Sequence, residues 1–163
     1  MLNLRMVVNE QIDKESAWGY FDGSVAGVPQ ICGAGGILYS SDEHFFTFSA
    51  GLGLGTNNFG ELLALKLLTT LALKQGVQSL QVFGDSQLVI NWISGKFRIN
   101  NILLTQILHE VIRISNLLVK VDYKHIYCKR NTRADALANA GANVLEGHWK
   151  ILEYRGYETF QIF

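Results

Sequence analysis

The stretch AGGILYSSDEHFFTFSAGLGLGTNNFGELLALKLLTTLALK, Ala34–Lys74, decides the architecture. Its first part holds two apolar runs, residues 34–40 and 44–52, joined by the polar turn Ser41-Asp42-Glu43. Apolar runs of that length bounded by turn residues read as strands. After Gly-Leu-Gly-Thr the pattern changes. Leu62, Leu65, Leu68 and Leu71 recur at helical spacing, which predicts a helix over about 58–74. The chain therefore passes from a meander of strands into helix-and-strand units.

Working outward, residues 17–22 (AWGYFD) form an earlier apolar run that stops at an acid, and residues 23–29 read as a turn. Downstream, residues 78–84 (QSLQVFG) predict a buried strand, Ser86–Ile93 a helix closed by Gly95, and residues 102–116 a helix with Ile107, Val111 and Ile114 on one face. Residues 118–126 alternate like a strand, and a last, alanine-rich helix starts near Asn131. The string βββ-α-β-α-α-β-α predicts an α/β fold: a five-stranded mixed sheet in the order 3-2-1-4-5 with helices on both faces. Three segments follow: an amino-terminal extension (1–16), the α/β domain (17–145) and an aromatic-rich tail (146–163) that the pattern does not place.

Composition sets bounds. The 163 residues are 48% hydrophobic and 17% charged, which is globular and far from disordered. No apolar run is long enough to cross a bilayer, and no secretory signal opens the chain, so the expectation is an intracellular protein, cytoplasmic or nuclear, without a membrane partner. Cys32 and Cys128 are read as reduced thiols. The net charge of zero argues against high affinity for nucleic acid, whose binders usually carry excess Lys and Arg. It does not argue against chemistry on nucleic acid.

Four acids stand apart from the surface charge. Asp22 and Asp85 each end an apolar strand, Glu61 opens the leucine-rich helix, and Asp135 sits in the first turn of the last helix. Sites in open sheets form at the carboxyl ends of strands. Burying carboxylates together is costly unless cations neutralise them, so such a cluster calls for hard cations with oxygen ligands. Each acid also has a simpler reading. Asp22 precedes a turn, Asp85 precedes a helix it can cap, and Glu61 and Asp135 suit helix starts. The four together, in this order of elements, favour a metal site.

The same residues resemble the type 1 ribonuclease H family, closest to the reverse-transcriptase-associated, archaeal-like branch of plant retroelements and plant proteins. The resemblance rests on Phe21-Asp22-Gly23-Ser24 with Cys32-Gly-Ala-Gly-Gly36, on Thr56-Asn-Asn-Phe-Gly-Glu61-Leu-Leu-Ala-Leu65, on Gly84-Asp-Ser-Gln-Leu-Val89, and on His125 through Asn139. It covers about residues 17–145. It implies a ribonuclease H-like fold and hydrolysis of the RNA strand of RNA–DNA hybrids by two magnesium ions, with manganese as a substitute. The family's metal ligands carry over to Asp22, Glu61, Asp85 and Asp135. Its hybrid contacts carry over to Ser24, Asn57, Asn58, Ser86, Gln87 and Asn131. His125, ten residues before Asp135, matches a histidine that helps move a proton in many members, against the simpler reading of a packed strand residue.

Cys128 stands where that branch commonly has arginine, and Lys129, Arg130 and Arg133 are the cations left to compensate. A basic helical handle is missing between the second and third helices. The isolated domain, read as a monomer and as one piece of a larger retroelement polyprotein, is expected to hold its hybrid weakly. Two other readings stay open: a catalytically silent nucleic-acid-binding domain, and a DNA-cutting, transposase-like relative.

Overall fold

A computed structural model describes residues 12–162. In chain order the elements are β1 (Ala17–Ala26), β2 (Ile31–Tyr39), β3 (His44–Leu54), α1 (Asn57–Lys74), β4 (Ser79–Gly84), α2 (Gln87–Ile93), α3 (Ile102–Leu117), β5 (Lys120–His125), a 3-10 turn at Cys128–Arg130, α4 (Thr132–Ala142), β6 (Trp149–Arg155) and β7 (Glu158–Gln161). They build one mixed sheet in the order β5-β4-β1-β2-β3-β6-β7. The expected five-strand order is contained in it, with β1 parallel to β4 and β4 parallel to β5.

Two expectations need correction. The sheet has seven strands, because the unplaced tail forms the β6–β7 hairpin and pairs antiparallel with β3 from His44↔Arg155 to Ala50↔Trp149. The tail is thus part of the sheet. β1 also does not stop at Asp22. It runs to Ala26, paired with β2 throughout, and the turn begins only at Gly27. The expected amino-terminal extension falls largely outside the described residues. Its last part is tied to β4, where Asp13 N donates to Gln81 Oε1 at 2.9 Å and Gln81 Nε2 donates to Asp13 O at 2.7 Å. Among the described residues no helix is long and apolar enough to cross a membrane.

The helices cover both faces for reasons visible in their side chains. α1 is leucine-rich all round and lies between the sheet and α3, where a helix needs no polar face. Thr56 starts it, its Oγ1 accepting from Phe59 N at 3.2 Å. α4 lies on the opposite face and is built of Ala and Gly, which lets its backbone settle onto β2. A Cβ placed on Gly33 would stand 2.1 Å from Ala142 N, and one on Gly35 2.2 Å from Ala138 N. Side chains alternate along β1, so Asp22, opposite Gly35, shares the α4 face, while Gly23 turns toward α1.

Candidate active site

The pairing of β1 with β4 ends at Phe21↔Gly84. Beyond that point β1 continues beside β2 alone, and the chain leaves β4 directly into Asp85. Gly23 is what brings the third element in. A Cβ there would lie 2.3 Å from Glu61 N, so only glycine lets the start of α1 press against β1. Asp22, Glu61 and Asp85 meet at this gap, each offering a carboxylate oxygen within 4.8 Å of the others. Asp22 and Glu61 are buried, Asp85 is half-buried, and Asp135 stands exposed in the first turn of α4.

Crowding buried acids raises their affinity for protons. Burial pushes the Asp22 carboxyl far above the usual range, and the hydrogen bond and charge of Glu61 push it further, helped by Asp85 and Asp135. Burial likewise raises Glu61, with the hydrogen bond to Asp22 pulling partly back. Asp85 is raised by burial and by the charge of Asp135, while its backbone amide and the Asn131 side chain oppose the shift. Without cations the cluster therefore holds protons that free carboxyls would have released.

One oxygen bears directly on what belongs here. Glu61 Oε2 is buried and has no hydrogen-bond partner. Buried polar atoms are nearly always satisfied, and an exception asks for a missing partner. Among three carboxylates, the partner that fits is a hard divalent cation, which takes oxygen ligands.

The other expected site residues divide into two groups. Asn57 and Gln87 are exposed and Asn58 is half-buried, at the starts of α1 and α2. Gln87 Nε2 reaches only as far as Asn91 Oδ1, at 3.1 Å. His125, at the end of β5 opposite Gly84, is partly exposed, and its Nε2 lies 3.2 Å from the Asp85 carbonyl oxygen, which puts the imidazole at the rim of the cluster. The remaining three already have protein partners. Ser86 caps α2, accepting from Val89 N at 3.2 Å. Ser24 donates to Asn139 Oδ1. Asn131 departs most from expectation. It is 1% exposed and donates from Nδ2 to Phe21 O at 2.9 Å, so it braces β1 from within and does not face outward. Of the cations near α4, Arg133 is held against the sheet, donating to Tyr39 Oη at 2.5 Å and lying over Phe45. Gly23 and Asn139 have no role assigned from the sequence, yet Gly23 makes room for the start of α1 and Asn139 bonds to Asp135 and Ser24.

A family model described as reverse transcriptase-like matches residues 20–141, a span that includes all four acids. Ribonuclease HI of Halobacterium salinarum is 32% identical over 124 residues, covering 74% of this chain and 61% of that protein. The chain belongs to the type 1 ribonuclease H family. The solved RNase H1 of the same archaeon superposes with a TM-score of 0.72 at 29% identity, covering 77% of this chain and 96% of that one. LC11-RNase H1, solved in complex with an RNA/DNA hybrid, gives 0.67 at 25% identity, covering 78% and 97%. This ribonuclease H-like chain spans 33% of the length of the mycobacterial proteins it matches, among them a bifunctional protein of Mycobacterium tuberculosis, 28% identical over 120 residues.

Proposed function

We propose that this chain hydrolyses the RNA strand of RNA–DNA hybrids, with two divalent cations, magnesium or manganese, held by Asp22, Glu61, Asp85 and Asp135. The observation that carries the reading is the unpartnered Glu61 Oε2 inside a cluster of carboxylates that burial alone would disfavour. When bound, such a pair supplies the charge that activates a water for attack on phosphorus and steadies the departing oxygen. The protein's part is to hold the carboxylates rigidly, two of them buried, and to leave Asp85 and Asp135 open toward the substrate. Asn57, Asn58 and Gln87, on the rim, are suited to the backbone and 2′-hydroxyls of the hybrid, a readout that senses RNA without sensing sequence. The chain's neutral balance of charge makes that hold weak.

The test is cleavage of matched RNA–DNA, DNA–DNA and RNA–RNA duplexes with magnesium or manganese. Hydrolysis is expected for the hybrid alone, at many positions, leaving 5′-phosphate and 3′-hydroxyl ends. Equal cutting of the DNA duplex would replace this reading with the transposase-like one. If no duplex is cut and manganese does not raise the melting temperature, the silent-domain reading takes its place.

His125 has a smaller expected role. A partly exposed imidazole beside Asp85 supports a role in passing a proton between the reacting centre and solvent. His125→Ala is expected to lower turnover by up to about 10²-fold and to leave hybrid affinity nearly unchanged. Turnover and melting temperature measured on one preparation decide the matter, since a loss that vanishes after correction for unfolded protein would remove His125 from the site.

A further inference from the structure

Asn139 touches two elements at once. Its Nδ2 donates to Asp135 Oδ2 at 3.3 Å, and its Oδ1 accepts from Ser24 Oγ on β1. The NH2, a donor, faces the Asp135 carboxyl oxygen, and the amide oxygen, an acceptor, faces the serine hydroxyl. Both neighbours are set by regular geometry. Asn139 follows Asp135 by four residues and so lies on the same face of α4. Ser24 follows Asp22 by two residues and shares its face of β1. The amide thereby ties the fourth acid to the strand that carries the first.

Asp135 needs such a tie more than the other acids do. Asp22 and Glu61 are immobilised by burial, whereas Asp135 is exposed, beside the charge of Asp85 and within hydrogen-bond reach of Asp22. Without a further tie that carboxylate relaxes toward solvent, away from the charge of Asp85. One oxygen held by an amide leaves the other available to a cation.

We infer that Asn139 is a positioning residue, holding Asp135 within reach of a cation shared with Asp22, with Ser24 as its anchor. The inference rests on the metal-dependent reading above. It also changes the expected job of Ser24, whose hydroxyl is spent on Asn139 and acts on metal binding in place of hybrid binding.

The experiment titrates manganese into the whole chain without nucleic acid, following heat or melting temperature, and measures hybrid cleavage against metal concentration in parallel. Asn139→Ala is expected to weaken manganese binding by about tenfold, the usual cost of losing a partner behind a metal ligand. The metal needed for half-maximal rate rises accordingly, and KM for hybrid at saturating metal stays put. Ser24→Ala shifts both in the same direction by less, and the double variant is no worse than Asn139→Ala, because the two residues act in series. Asn143→Ala serves as the control. Its side chain donates to the Asn139 backbone carbonyl at 3.1 Å and lies outside the relay, so its metal dependence matches the unsubstituted protein. If the unsubstituted protein neither takes up manganese nor cuts hybrid, the underlying functional reading falls. If it does both while Asn139→Ala keeps the same metal dependence, with or without a lower melting temperature, the positioning role is overturned.

Discussion

Replacing Asp22 by asparagine is expected to reduce hybrid cleavage to background and, in the absence of metal, to raise the melting temperature. The two effects have one origin. Asp22 is buried beside Glu61 and near Asp85 and Asp135, so its charge is tolerated only when a cation neutralises it. Asparagine keeps the shape and removes the charge, and with it one of the proposed metal ligands. The pH dependence has a definite sign. A carboxyl with a higher pKa in the folded state binds more protons there than in the unfolded chain, so stability falls as pH rises between the two values. Burial raises Asp22, Glu61 and Asp85. The metal-free protein should thus be most stable at the acid end of its native range and weaken as pH climbs past the ordinary carboxylate range. In Asp22→Asn that decline should be shallower. Saturating magnesium should flatten it in the parent and do less in the variant. Thermal melts with chelator and with magnesium across pH, alongside a cleavage assay, read all of this. Robust cleavage by Asp22→Asn at ordinary magnesium would mean that the chemistry lies with other residues.

The second large effect comes from a residue with no functional group. Gly35→Ala would put a Cβ 2.2 Å from Ala138 N and 2.5 Å from Leu137 C, both backbone atoms of α4. Neither can swing aside as a flexible side chain would, so the helix must lift from the sheet. Overpacking of this kind costs about 3 kcal/mol, which for a domain of this size is a fall of roughly 10 °C in melting temperature. The displacement has a chemical result as well. α4 carries Asp135 and Asn139, so a lifted helix moves the fourth acid away from Asp22. Gly35→Ala should therefore lose activity beyond its loss of folded protein, and extra manganese should recover part of it. A variant with unchanged melting temperature would show that the close approach of α4 to β2 is not needed.

What could be read from the sequence followed the strength of the apolar pattern. The leucines of α1 and the short buried run of β4 gave elements within a residue or so of those observed. The acids stood out because each follows or opens an apolar element, where a charge is unusual. The extent of β1 is hidden in the sequence because Gly23 and Ser24 look like the start of a turn. Gly23 is a strand residue whose missing side chain makes room for the backbone of α1, and that need arises only from the packing. The β6–β7 hairpin escaped notice because it buries little. Only Glu153 of β6 is buried and all of β7 is exposed, so no alternation marks them. Asn131 is expected among the hybrid contacts, and nothing local reveals that its amide reaches Phe21 O. Asn139 joins partners that lie 4 and 115 residues away, and the longer of these links has no local signature.

The hairpin bears on which strand forms the edge of the sheet. The span matched by the family ends at residue 141, before β6 begins. A polypeptide trimmed there would keep the four acids and leave the backbone of His44–Ala50 without its outer neighbour. An open row of amides and carbonyls on a strand as apolar as HFFTFSA is a template for edge-to-edge association between chains. In the longer chain the sheet ends instead at β7, four exposed residues that begin with Glu158, too short and too polar to offer that template. The last residues of the sheet thus cover the backbone edge of a strand whose partners lie far from the chemistry.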